Sequence, residues 1–220
     1  MTERGMIFNG EMVRAILDSR KTQTRRIVKG TDGTVKFCKE WDINGEEIFV
    51  VLGEKDHTGM NPVLGAISCP FGGVGDRIWV RETFQGPLFD YEQMESYLED
   101  SSKFEKPEFC QYAADGKPAP EYYDADDNLR HGWRPSIHMP RWASRILLEI
   151  TDVRVERLAS VSDEDAGKEG YPADPSPFGG PMDKWLWFRQ LWDGIYPEQS
   201  FKHNPWVWVI EFKRVEGGAA

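Results

Sequence analysis

The sequence predicts an α+β chain, a small mixed β-barrel with helices packed against it rather than a doubly wound sheet, and three observations predict it. Helical periodicity is confined to short stretches near the start and the end of the chain. Alternating or continuous apolar runs of strand length fill much of the rest. The final eleven-residue run reads as a closing strand buried on one side at least, or on both.

Each element follows in order. Residues 10 to 19, GEMVRAILDS, place Met12, Val13, Ile16 and Leu17 on one helical face, with Asn9 as the cap. The polar run KTQTRR comes next, and strand alternation there sets Thr24 and Arg26 on one face and Lys21 on the other, so Lys21 must sit in a turn to join them. Residues 48 to 52, IFVVL, predict a short apolar strand, and the glycine-rich CPFGGVGD predicts a turn into RIWVRETF, where Ile78, Val80 and Phe84 share one side. In RILLEITDVRVER, 145 to 157, Ile146, Leu148 and Ile150 alternate before Val153 and Val155 continue after a change of register. Ser162 with Asp165 three residues on has the capping-box pattern of a helix ending near Gly170. Trp185, Phe188, Leu191, Trp192 and Ile195 form a helical stripe, and PWVWVIEFKRV closes the chain. No internal repeat is visible.

Composition narrows the functional classes. The 220 residues are 40% hydrophobic and 29% charged, enough for one domain with a real core. A net charge of -10 argues against a protein that grips long nucleic acid with its whole surface. The charge is uneven. Residues 86 to 130 hold twelve acidic and four basic residues and read as an insertion or lid, in its simplest form a solvated loop. Arg20, Lys21, Arg25, Arg26 and Lys29 stand at 20 to 29 without an acid, and Arg130, Arg134, Arg141 and Arg145 at 130 to 145 likewise. These suggest a positively lined pocket, although each run alone also suits a solvated face. No stretch approaches the roughly 18 consecutive apolar residues of a membrane span, and the start lacks a signal-peptide core, so a cytoplasmic protein without membrane contact is expected. Cys38, Cys69 and Cys110 show no CxxC, and their spacing does not support a zinc site with His57, His131, His138 or His203. No metal or other cofactor is expected. GxGxxG, P-loop, HExxH and GxSxG signatures are absent.

Two runs carry a family resemblance. ILDSRKTQTRR at 16 to 26 resembles the ILxGxKTxTxR signature of ASCH domains, small barrels related to the PUA fold, and GDRIWVRE at 75 to 82 resembles the turn and strand that follow it. RQLWDGIYP at 189 to 197 and WVIEFKRV at 208 to 215 are similar to the closing helix and strand of the short bacterial ASCH proteins that hydrolyse N4-acetylcytidine. Residues 28 to 74 and 85 to 140 would then be insertions in a single domain spanning 1 to 220. The whole chain, with WRPSIHMPRWASRI, resembles larger ASCH-like proteins of phages and prophages.

The resemblance implies an activity and a site. It makes Lys21 and Thr24 of the KTxT motif and Glu169 on a later helix the catalytic set, with Asp165 or Glu164 as other counterparts of the glutamate. The implied reaction removes the acyl group from N4-acetylcytidine without a metal. Lys21 would take the Thr24 proton, Glu169 would pass protons to the leaving amine, and Arg26 would orient the substrate carbonyl or the glutamate. Arg26, Trp79, Arg81, Arg141, Trp142 and Arg145 are the candidate substrate-binding residues, the two tryptophans as stacking faces for a base. Ser19 stands where the family has glycine, and Arg25 where the acetylcytidine enzymes have an apolar residue. Two alternatives stay open. The run suits a basic strand edge with no chemistry, and PUA-like folds suit a non-catalytic module that binds RNA or a modified nucleoside.

Overall fold

The computed structural model describes residues 1–123, 128–173 and 182–215. In chain order the elements are β1 (Glu3–Ile7), α1 (Gly10–Leu17), β2 (Gln23–Ile27), β3 (Lys36–Trp41), β4 (Glu47–Leu52), β5 (Val63–Ile67), β6 (Arg77–Arg81) and β7 (Phe84–Gln85). There follow α2 (Met94–Glu99), β8 (Gln111–Tyr112), β9 (Glu121–Tyr123), β10 (Leu129–His131), β11 (Leu147–Arg157), α3 (Asp163–Lys168), α4 (Asp183–Ile195) and β12 (Trp206–Arg214), with short 3-10 turns between them. The class is α+β. Among the described residues every sheet is an open ladder and none closes into the expected barrel. The strands of 28–74 pair with one another, in the order β3-β4-β5, and so form a sheet of their own. No helix among the described residues is long and apolar enough to cross a membrane.

The chain forms two compact units. The first comprises residues 1–2, 19–76 and 149–213. There β12 lies between β11 and β2, antiparallel to β2 with Trp208 opposite Arg26 and Ile210 opposite Thr24. Val207, Trp208, Val209 and Ile210 are all buried, so both faces of β12 are covered, as its doubly apolar sequence requires. On one side Val207 and Val209 join Phe188 and Trp192 of α4 and Ala166 of α3 in a core cluster. On the other, Trp208 meets Phe49 edge-on at 5.0 Å. The α4 stripe holds except at its end, where Ile195 is 42% exposed. Ser162 caps α3 as expected, accepting from the Asp165 amide at 3.1 Å.

The second unit comprises residues 3–18, 77–148 and 214–220, the last of these described only to 215. Asn9 caps α1, accepting from the Met12 amide at 2.8 Å, and Met12, Val13 and Ile16 are buried as the helical spacing predicts. Strands β1 and β6 pair in parallel, with Ile78 and Val80 buried. Within the acidic segment, residues 89 to 109 hold aromatic contacts. Phe89 stacks on Tyr97 at 4.4 Å, and Phe104 packs on Phe109 at 4.8 Å, so aromatic contacts replace the missing apolar stripe. Asp124, Asp126 and Asp127 of that segment lie outside the described residues.

Candidate active site

The KTxT run and α3 meet in the first unit. Ser19 has φ 58°, in the left-handed region that favours glycine, and this reverses the chain just ahead of Lys21. Lys21 then forms an isolated antiparallel bridge with Glu169, reinforced by the Thr22 amide donating to the Lys168 carbonyl at 3.0 Å. Glu169 caps the C-terminal end of α3, and Gly170 at φ 103° turns the chain away.

Side chains complete the junction. Lys21 Nζ donates to Glu169 Oε2 at 2.8 Å and to the Glu169 carbonyl at 2.9 Å. Arg25 Nη1 donates to the other carboxylate oxygen, Oε1, at 3.0 Å. Lys21 and Arg25 are 2% exposed and Glu169 3%, so one carboxylate is shared by two buried cations. Thr24 is 1% exposed, and its Oγ1 accepts from Arg26 Nη1 at 2.9 Å. That bond leaves the hydroxyl's own proton to donate elsewhere. Burial holds the Lys21 ammonium below the ordinary lysine range; Glu169 opposes this by attraction and hydrogen bonding, and the like charges of Arg26 and then Arg25 add to it. The ammonium therefore senses the Arg26 that grips Thr24 as well as the Arg25 that grips Glu169.

The structure separates the three candidate carboxylates. Glu169 is the one bonded to Lys21. Asp165 lies 3.8 Å from Arg25 and 3.6 Å from Arg154, while the Glu164 side chain is 85% exposed and lies 3.9 Å from Lys168. Behind Arg25, whose guanidinium also lies 5.5 Å from the Phe188 ring centre, Arg154 bonds Glu156 and Glu211 at 2.7 Å each. The sequence gives Arg25 a place in the basic run near Lys21 but no bond to Glu169, and it does not mark Arg154. For Arg25 a signal existed, because residues 21, 23 and 25 share parity in an extended run.

The remaining predicted site residues belong to the second unit and have partners there. Arg145 forks onto Glu82, at 3.0 and 3.1 Å, and onto Asp115, at 3.0 and 2.7 Å, and its guanidinium lies 3.9 Å from the Tyr112 ring centre. Burial pushes the Glu82 carboxyl up, against the pull of Arg145. Trp142 packs against the cluster of Phe84, Tyr112, Met139 and Ala143. Arg141 donates from Nε to Glu3 at 2.9 Å. Arg81 bonds the Ile137 carbonyl and lies 5.4 Å from the Trp79 ring centre. Among the described residues no three His, Cys, Asp or Glu side chains gather in a way that would hold a metal ion.

No protein-family model, no curated protein and no solved structure matches this chain.

Proposed function

We propose that the chain is a metal-independent amidohydrolase of the ASCH type, with a PUA-like fold, that converts N4-acetylcytidine to cytidine and acetate. The observation that carries the reading is the buried pair Lys21–Glu169, 2.8 Å apart and 148 positions distant in sequence, whose lysine belongs, with Thr24, to the motif that the resemblance singles out. In this scheme Lys21, its proton loosened by burial, passes that proton to Glu169 Oε2, 2.8 Å away, and as the neutral amine accepts the Thr24 proton. Thr24 Oγ1 attacks the acyl carbon and expels the exocyclic amine, which takes up a proton by way of Glu169. Water then cleaves the acyl-threonine, releasing acetate and returning the proton to Thr24. Arg26, already bonded to Thr24 Oγ1, supplies positive charge next to the attacking oxygen. Because Lys21, Thr24 and Glu169 are each 3% exposed or less, substrate reaches them only when covering side chains move.

The test is conversion of N4-acetylcytidine to cytidine by the purified chain, followed by chromatography. Wild type should turn over, Lys21→Ala and Thr24→Ala should not, and Thr24→Ser should retain part of the rate. Absence of turnover by wild type at high enzyme concentration overturns the proposal. One observation favours the binding-module alternative. Trp79 approaches Gly5 closely, an added Cβ there coming within 2.6 Å of the indole, and the Arg81 guanidinium lies 5.4 Å from its ring centre, a pairing of ring and cation suited to holding a base. On that reading RNA retention falls steeply with salt and is lost in Trp79→Ala, while Lys21→Ala leaves it intact.

A further inference from the structure

The three-stranded sheet of the first unit has an outer face of the wrong polarity for water. Its inner face carries Phe49 and Val51, both buried, and Phe37, which meets Trp206 edge-on at 4.9 Å. In an antiparallel sheet covered on one side, the alternate residues should be polar. Here they are not. Ile48, Val50 and Leu52 of β4 alternate away from Phe49 and Val51, and the register sets Cys38 and Ala66 opposite Val50 and Val63 opposite Leu52. None of the six is charged. Val63 is 67% exposed, and β5 is an edge strand with no charged residue in VLGAI. Such a face and edge form an association surface.

The charges on this face define what covers it. On β3 the outward positions are Lys36, Cys38 and Glu40, so a cation and an anion flank an apolar centre at equal spacing. A two-fold axis lying in the plane of the face, across the strands, places Lys36 of one copy over Glu40 of the other at both ends and Cys38 over Cys38 between them. The face is thus complementary to itself, the condition for an isologous dimer. We propose that two copies of this chain associate through the outer face of β3-β4-β5, stacked as an aligned two-sheet sandwich with their β3 strands antiparallel.

Sedimentation equilibrium on the full chain tests this. Wild type should show twice the chain mass of 25.3 kDa, and Val50→Lys, which places a charge at the centre of the face, should return the single mass with its circular dichroism spectrum unchanged. Because Val50→Lys alone could act by unfolding, the charge pair gives the decisive arm. Lys36→Glu should weaken association several-fold, and the double variant Lys36→Glu/Glu40→Lys should restore it. A wild-type chain that stays at the single mass overturns the proposal, as does a dimer insensitive to Val50→Lys or a double variant no tighter than Lys36→Glu.

Discussion

Replacing Glu169 by alanine should be one of the most damaging single substitutions in the first unit, and its cost can be worked from the contacts. The change removes the carboxylate that compensates two cations, Lys21 at 2.8 Å and Arg25 at 3.0 Å, each 2% exposed. Breaking a buried pair by deleting one partner costs about 3–5 kcal/mol, because the remaining charge is left in a medium that cannot solvate it. Two features pull the value toward the lower end, about 3 kcal/mol. Lys21 keeps the main-chain carbonyl of residue 169 at 2.9 Å, and Arg25 keeps Glu156 and Asp165, each at 3.8 Å. Lys21→Met should cost less, about 1–2 kcal/mol, since Glu169 then retains Arg25 and no cation is orphaned. The assay is urea unfolding followed by tryptophan fluorescence, for which Trp185, Trp192, Trp206 and Trp208 all lie in this unit. A loss below about 1 kcal/mol for Glu169→Ala, or a larger loss for Lys21→Met than for Glu169→Ala, would refute the shared-carboxylate account.

Further outcomes follow from the same geometry. An unfolded lysine titrates near its ordinary 10.5, whereas folded Lys21 does so lower, so between the two values the unfolded chain binds more protons. The Lys21 contribution therefore raises stability as pH climbs through that window, and Lys21→Met should remove this rise in urea midpoints compared at alkaline pH below 10.5. Ser19→Gly relieves a left-handed residue at φ 58° and should stabilise by up to about 1 kcal/mol, read as an increase in Tm. A fall in Tm would show that the turn is not strained. Gly5→Ala drives a methyl to within 2.6 Å of the Trp79 ring and 2.9 Å of Arg81 Cδ, and should cost about 1–3 kcal/mol in thermal unfolding. An unchanged Tm there would mean that the indole does not rest on the strand.

Local signals settled the local elements, because each depends on residues a turn or two apart. Asn9 and the Met12, Val13, Ile16 spacing wrote α1, Ser162 with Asp165 wrote the start of α3, and the apolar closing run wrote a buried strand, with the structure covering both of its sides. The motif by itself marked Lys21 and Thr24 as worth attention. What depended on distant partners was not legible. Nothing in the chain's periodicity says that Glu169 rather than Asp165 or Glu164 meets Lys21, because that follows from one backbone bridge across 148 positions. The sharing of Glu169 with Arg25 likewise needs the register of the run to be fixed first. Residues 28–74 announced one strand, yet folded as three, since β3 is mostly polar and β5 short and glycine-containing, and each is a strand through its pairing with β4. The contacts among Phe89, Tyr97, Phe104 and Phe109 come from aromatic rings meeting in space, which leave no period to read. Sequence determined which faces are apolar and where helices begin; tertiary structure alone decided which charge neutralises which, because burial makes that choice and burial is a property of the whole fold.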